Sequence, residues 1–346
     1  MLRLFQSYGV STGMYGCQVW GSRFARIDRV FKSDIARRHM CFLRRTAGVA
    51  RSTPNWALLT ELNCRPYHYY WIRALLKFHK SLLNCNSPLL QDVVEADAWL
   101  ATQQHVVGSN VRKCDGCWSA ELAAGLCSIG EAAGEAQKGA SWESAVRTAA
   151  PVDAPSVMLC LQAAYDRKAW HGCDQIHDIR VADLQAADGT PVGRKHATYH
   201  AWFKLRQPGM PPFMWSPVTK HNLVKNMLRF RLGSHYLGCN LGRQLNPPVP
   251  WAERSCSRCS DGHLASLSCA VDDEFHAIFE CEAFAAARDA SSVSGLITCA
   301  AGDVRTFMCS DAVGSVMKYI SAIMDMLDGA FEGVPDGPHA DQSSSG

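Results

Sequence analysis

Phe24, Ile27, Phe31, Ile35 and Phe42 are spaced three, four, four and seven residues apart, the repeat of an amphipathic helix, while Arg23, Arg26, Arg29, Arg37 and Arg44 largely face elsewhere. The pattern predicts a helix with an apolar seam and a basic back, ended by Gly48. Ser52-Thr53-Pro54 supplies a hydroxyl cap and a proline suited to a first turn. A short helix through Trp56, Leu58, Leu59 and Leu62 is expected to follow. After Pro66 a longer helix carries Ile72, Leu75, Leu76, Leu82 and Leu83 on one side and Tyr70, Arg73, Lys77 and Lys80 on another.

From about 108 to 154 the text turns to Ala, Gly, Ser and Glu with weak periodicity and is expected to form a loose connector with one or two short helices. Helical character resumes over 155–171. Asp188-Gly189 marks a turn, with short strands around Ile179, Val181 and Val192 expected on either side. A basic helix is predicted from about Pro217 to Leu232, with Lys220, Lys225, Arg229 and Arg231. The tail after Glu332 is Gly, Pro, Asp and Ser and is expected to be disordered. The fold class is therefore mainly α: a basic helical bundle over 1–85, a helical connector over 86–215, a basic helix and small metal module over 216–290, a C-terminal helix over 291–331, and a tail over 332–346.

Charge sharpens this picture. The 346-residue chain has a formal net charge of only +3, yet residues 1–80 hold Arg and Lys at fourteen positions against three acids, Asp28, Asp34 and Glu61. A basic segment in an otherwise acidic chain points to a polyanionic partner, with a merely solvated cationic surface as the alternative. There is no signal-peptide pattern and no apolar run that could span a bilayer, so no membrane partner is expected. The 16 cysteines in a chain of this length read as reduced thiols of the cytosol or nucleus, a few of them recruited by metal.

The sharpest chemical signal is Cys256-x2-Cys259, then His276, then Cys281. A cysteine pair two residues apart forms a knuckle around one metal, and a His and Cys farther on complete a tetrahedron, so one structural zinc ion is expected. His263 and Cys269 lie inside the loop as competing ligands. Phe275, Ile278 and Phe279 favour the first set, because they would pack a small core around the ion. Cys114 and Cys117, with Cys127 or His105, form a weaker candidate, and His171, Cys173 and His177 a weaker one still. Neither a phosphate-binding Gly-x4-Gly-Lys-Ser/Thr loop nor a Gly-x-Ser-x-Gly elbow is present. Asp272-Asp273 lacks the hairpin setting of a two-metal polymerase site and reads as a polar lead into the zinc site. No catalytic residue is assigned.

Tyr15-Gly16-Cys17-Gln18-Val19-Trp20-Gly21 resembles the segment that opens the thumb of reverse transcriptases of non-LTR (LINE-type) retrotransposons. The resemblance continues through Phe42-Leu43-Arg44-Arg45, Gly48-Val49, Ser52-Thr53-Pro54-Asn55, Glu61-Leu62 and Pro66. It resumes at Arg229-Phe230-Arg231-Leu232-Gly233-Ser234-His235, Gly242-Arg243 and Pro250, and ends in what resembles the family's Cys-Cys-His-Cys segment, with Asp273-Glu274-Phe275-His276 and Cys281. Two blocks are covered, roughly 1–85 and 220–290. The resemblance implies thumb helices that grip RNA or DNA, with Arg44, Arg45, Arg51, Arg73 and Lys77 on phosphate, joined by Arg229 and Arg231 of the basic helix. It also implies a zinc-containing tail. The palm with its catalytic aspartates would lie upstream of Met1, a separate polymerase palm or another protein is the candidate partner, and no endonuclease segment is matched. Lys220-His221-Asn222 echoes a nuclease triplet but precedes the cysteines. The expected function is nucleic-acid binding by a reverse-transcriptase remnant; the alternative is a zinc-stabilised helical protein that docks protein partners.

Overall fold

The computed structural model describes residues 10–106, 117–176, 178–181, 183–205, 211–214, 220–243, 245–260 and 270–332. The fold is mainly α, with no β-strand among the described residues; the only strand-like pairings there are the isolated bridges Gln185–Pro191 and Ser255–Val271. The principal helices are α1 (Asp34–Ala47), α2 (Asn55–Glu61), α3 (Tyr67–Leu83), α4 (Pro88–Val106), α5 (Trp118–Ala133), α6 (Ala136–Arg147), α7 (Ala154–Trp170), α8 (His221–Arg231), α9 (Ser294–Ala300) and α10 (Val313–Glu332). None of the described helices is long and apolar enough to cross a membrane.

Two compact units are interleaved along the sequence, Met1–Leu43 with Cys64–His171 and Arg44–Asn63 with Gly172–Gly346. These boundaries cut across the expected 1–85, 86–215 and 216–290 divisions.

In the first unit, α3 buries Tyr67, His68, Trp71, Ile72, Leu75, Leu76 and His79, an uninterrupted three-and-four repeat that lays one face against the core. Trp71 sits in an aromatic cluster with Trp20, Phe24 and Tyr67 at centroid distances of 5.3, 5.7 and 5.8 Å, and its indole N–H donates to the Gly13 carbonyl at 3.1 Å. The predicted single helix over 24–42 is broken here. Short 3-10 turns at Gly21–Phe24 and Ile27–Arg29 precede α1, and Gly48 stops the chain with φ of 66°, a conformation suited to glycine.

The expected loose connector is a correction. α5 and α6 are full helices packed closely enough that a Cβ on Gly130 would lie 2.5 Å from the Gly139 Cα. Backbone meets backbone at that point, while Leu122, Leu126 and Ile129 of α5 and Trp142 and Val146 of α6 are buried. α7 completes this unit through Val157, Leu161, Ala164 and Tyr165.

His68 is wholly enclosed. Its Nε2–H donates to the Ala25 carbonyl at 2.8 Å and its Nδ1 accepts from the Tyr165 hydroxyl at 2.7 Å. Burial lowers its pKa to about 4 and does the same to His39. Below pH 6.5 the unfolded chain takes up protons that the folded unit refuses, so stability must fall as pH drops from about 6.5 to about 4, by roughly 3 kcal/mol for His68 alone. Hydrogen exchange of α3 and α7 amides at pH 7 and 5 should show this loss of protection, with a shallower dependence in His68→Gln; an identical pH dependence in the variant would contradict it.

In the second unit α8 lies along α10. Asn226 donates to Ser321 and Asp325 at 2.9 and 3.0 Å, above a row of buried Val316, Met317, Ile320, Ile323, Met324 and Leu327. The Asp188-Gly189 turn is present, closed by Ala186 N–H to Thr190 O at 2.9 Å and Val192 N–H to Leu184 O at 2.9 Å, but its arms are too short to be strands. The tail beyond 332 lies outside the described residues.

Candidate metal centre

Cys256 precedes a short helical turn at Ser257–Ser260, and the bridge Ser255–Val271 pins the base of that knuckle, with Cys256 N–H to Ala270 O at 3.3 Å and Asp272 N–H to Arg254 O at 2.8 Å. His276 opens a π-helical turn, His276–Glu280, and the Cys281 N–H donates to the His276 carbonyl at 2.8 Å. That i-to-i+5 bond returns the chain so that residue 281 stands beside residue 276.

The four side chains converge, with every ligand atom within 4.8 Å of the others, and this group could hold a metal ion. Cys256 Sγ lies 3.8 Å from Cys281 Sγ, and Cys259 Sγ lies 3.5 Å from Cys281 Sγ and 3.4 Å from His276 Nε2. The sulfurs are too far apart for a disulfide, which needs about 2.05 Å. They match a tetrahedral ion about 2.3 Å from each sulfur and 2.0–2.1 Å from nitrogen, which places ligand atoms about 3.5–3.8 Å apart. Cys256 and Cys281 are buried and Cys259 half-buried. All four corners are protein atoms, the closed arrangement that structural metal sites share.

The surroundings orient the ligands. His276 Nδ1–H donates to Glu280 at 3.1 Å, which aims Nε2 into the site, and Glu280 is 3.7 Å from Arg180. Asp273 accepts from the His276 N–H at 2.8 Å and from Arg180 at 3.2 Å. Asp272 pairs with Arg258 and accepts from the Gly238 N–H at 2.6 Å. The acidic pair is thus the polar lead into the site that its position suggested, and burial raises both carboxyls, Asp273 to about 6. A Cys281–Cys256 hydrogen bond foremost lowers the Cys256 thiol to about 3. Burial works against the His276 imidazolium, but bonds to Cys256, Glu280 and Cys259 outweigh it and raise the group to about 9. Beneath the site Ile278 and Phe284 are buried, Phe279 packs 5.9 Å from Phe307, and Tyr319 of α10 donates to the Ala277 and Ile278 carbonyls, both at 3.0 Å.

The competitors His263 and Cys269 lie outside the described residues, as do Cys114 and His177. Cys117 instead donates to Asp97 at 3.3 Å. A second convergence, not foreseen, joins His235, Cys239 and Glu274. His235 Nε2–H donates to Glu274 at 2.9 Å while its Nδ1 accepts from Asn240 at 3.0 Å, so a closed hydrogen-bond set already uses these atoms. The His-x3-Cys spacing was its only sequence signal.

The seven proposed phosphate-binding cations divide sharply. Arg45, Arg51, Arg73 and Lys77 are exposed and form no ion pair among the described residues. Arg44 donates to the Thr53 carbonyl at 2.8 Å and to Asn55 at 2.6 Å, bracing the turn before α2. Arg229 grips Asp328 with two bonds of 2.6 and 2.8 Å. Arg231 is a correction: it is 2% exposed, paired with the equally buried Glu61, and cannot reach a phosphate. No protein-family model, curated protein or solved structure matches this chain, so residue pattern and geometry carry the functional reading.

Proposed function

We propose that this chain binds nucleic acid through its phosphate backbone, that a structural zinc ion on Cys256, Cys259, His276 and Cys281 stabilises it, and that it derives from the thumb and Cys-Cys-His-Cys segment of a non-LTR reverse transcriptase. Three thiolates and one imidazole at tetrahedral spacing are the donor set that zinc favours in closed sites. The observation that carries the binding reading is the exposed row Arg73, Lys77 and Lys80 on α3. These cations recur at four and three residues along one helix face, opposite the buried repeat, with no carboxylate partner among the described residues. A row of unneutralised charge at helical pitch suits a polyanion.

Neutralising each phosphate releases counterions, so affinity should fall steeply with salt. In fluorescence anisotropy with labelled RNA and DNA, Arg73→Gln/Lys77→Gln/Lys80→Gln should weaken binding and reduce the slope of log affinity against log salt by about 2–3. Unchanged affinity and slope would remove the basis for this reading.

A second reading has its own observation. α4 exposes Leu89, Val93, Trp99 and Leu100, at 71, 54, 59 and 49%, an apolar face of the kind that docks protein. Salt-insensitive association lost in a Trp99→Ser variant would favour that reading.

A further inference from the structure

The second unit contains a cavity of about 410 Å³, walled by the cations Arg194, Lys195, Arg243 and Arg254 and by Trp202 and Trp251. That volume is within the range of about 300–1,000 Å³ typical of small-ligand sites. Backbone carbonyls hold the inner guanidiniums in place. Arg254 donates to Val249 O at 2.9 and 2.7 Å and to Cys239 O at 2.6 Å. Arg194 donates to Ile179 O and Val181 O, both at 2.7 Å, and lies 4.1 Å over the Trp251 ring. Lys195 bonds the Ser52 hydroxyl at 3.2 Å, and Arg243 is exposed.

The acids on this wall, Asp273 and Glu274, are already engaged. Asp273 takes Arg180 and the His276 N–H, and Glu274 takes His235. Lys195, Arg243 and Arg254 form no ion pair among the described residues. Burial, then the neighbouring Arg243, lowers Lys195 to about 8, and burial, then Arg254, lowers Arg194. Folding therefore sets like charges side by side in a hollow at a cost in stability, which an entering anion would relieve. Thr198 and Trp202 reach the same hollow, Trp202 from a second π-helical turn, Tyr199–Phe203, and a half-buried indole offers a face on which a base can stack.

We propose that this cavity takes one nucleotide unit, its phosphate held by Lys195 and Arg243 and its base against Trp202. The proposal rests on the nucleic-acid reading and names a specific contact within it. The unit can come from a free nucleotide or from a strand, and the test separates the two. Full-length metal-loaded protein is titrated with AMP, adenosine, inorganic phosphate and a single-stranded octanucleotide, followed by calorimetry and tryptophan fluorescence.

AMP should bind, quench tryptophan and compete with the octanucleotide, with adenosine and phosphate each at least about tenfold weaker. Lys195→Gln/Arg243→Gln should lose about 10–100-fold in AMP affinity, as expected for removing charged hydrogen bonds. Arg243→Gln alone changes an exposed side chain and keeps the test open if the double variant misfolds; it should lose part of that affinity. AMP binding unchanged in both variants, or phosphate binding as well as AMP, would overturn the proposal. Octanucleotide binding that survives in the double variant without AMP competition would also overturn it, while leaving the nucleic-acid reading intact. AMP binding without octanucleotide binding would instead remove that reading and leave a free-nucleotide site.

Discussion

Replacing Arg231 with methionine is expected to cost about 3–5 kcal/mol, the range for removing one partner of a buried ion pair. Glu61 and Arg231 are 1 and 2% exposed. The carboxylate also accepts from the Tyr199 hydroxyl at 2.7 Å, and the guanidinium lies 5.5 and 5.4 Å from the Phe203 and Phe213 rings. Without the arginine, a carboxylate is left in an apolar setting with one hydroxyl for company. Glu61→Gln/Arg231→Met should recover much of the loss, because a neutral amide still accepts from Tyr199 and no charge is stranded. Hydrogen exchange of α8 amides measures both. Equal protection in the wild type and Arg231→Met would contradict the expectation.

Removing the metal is the second large effect. Zinc sites of this kind contribute roughly 10–16 kcal/mol in small modules, and among the described residues the knuckle is joined to the rest of the site by an isolated bridge and the Arg258–Asp272 pair. Chelation, or His276→Ala, should therefore abolish exchange protection over 254–260 and 270–284 and loosen the contact through Tyr319 to α10. The helices of the first unit should keep their protection. Unchanged protection in the module after chelation would mean that packing alone holds the cysteines together.

The metal quartet was legible because its ligands come in two local spacings, Cys-x2-Cys and His-x4-Cys, whose geometry depends little on the rest of the fold. The buried face of α3 was open to reading at Ile72, Leu75 and Leu76, since large apolar residues at helical pitch leave one solution. Arg231 was misread for the opposite reason. Its place in a basic helix says nothing about Glu61, 170 residues away, and only the tertiary fold tells a buried cation from an exposed one. The connector misled because Ala, Gly and Ser dominate its helices, so that the buried Leu122, Leu126, Ile129, Trp142 and Val146 stand out weakly as a helical repeat. The charged cavity was invisible because Lys195, Arg243 and Arg254 lie in separate segments.

The most direct test of the zinc-centred account is the metal content of the purified protein, measured by elemental mass spectrometry on the wild type and on Cys256→Ser/Cys259→Ser. About one zinc per chain is expected in the wild type and none in the variant. Folded wild-type protein without zinc, or a variant that keeps it, would contradict the account.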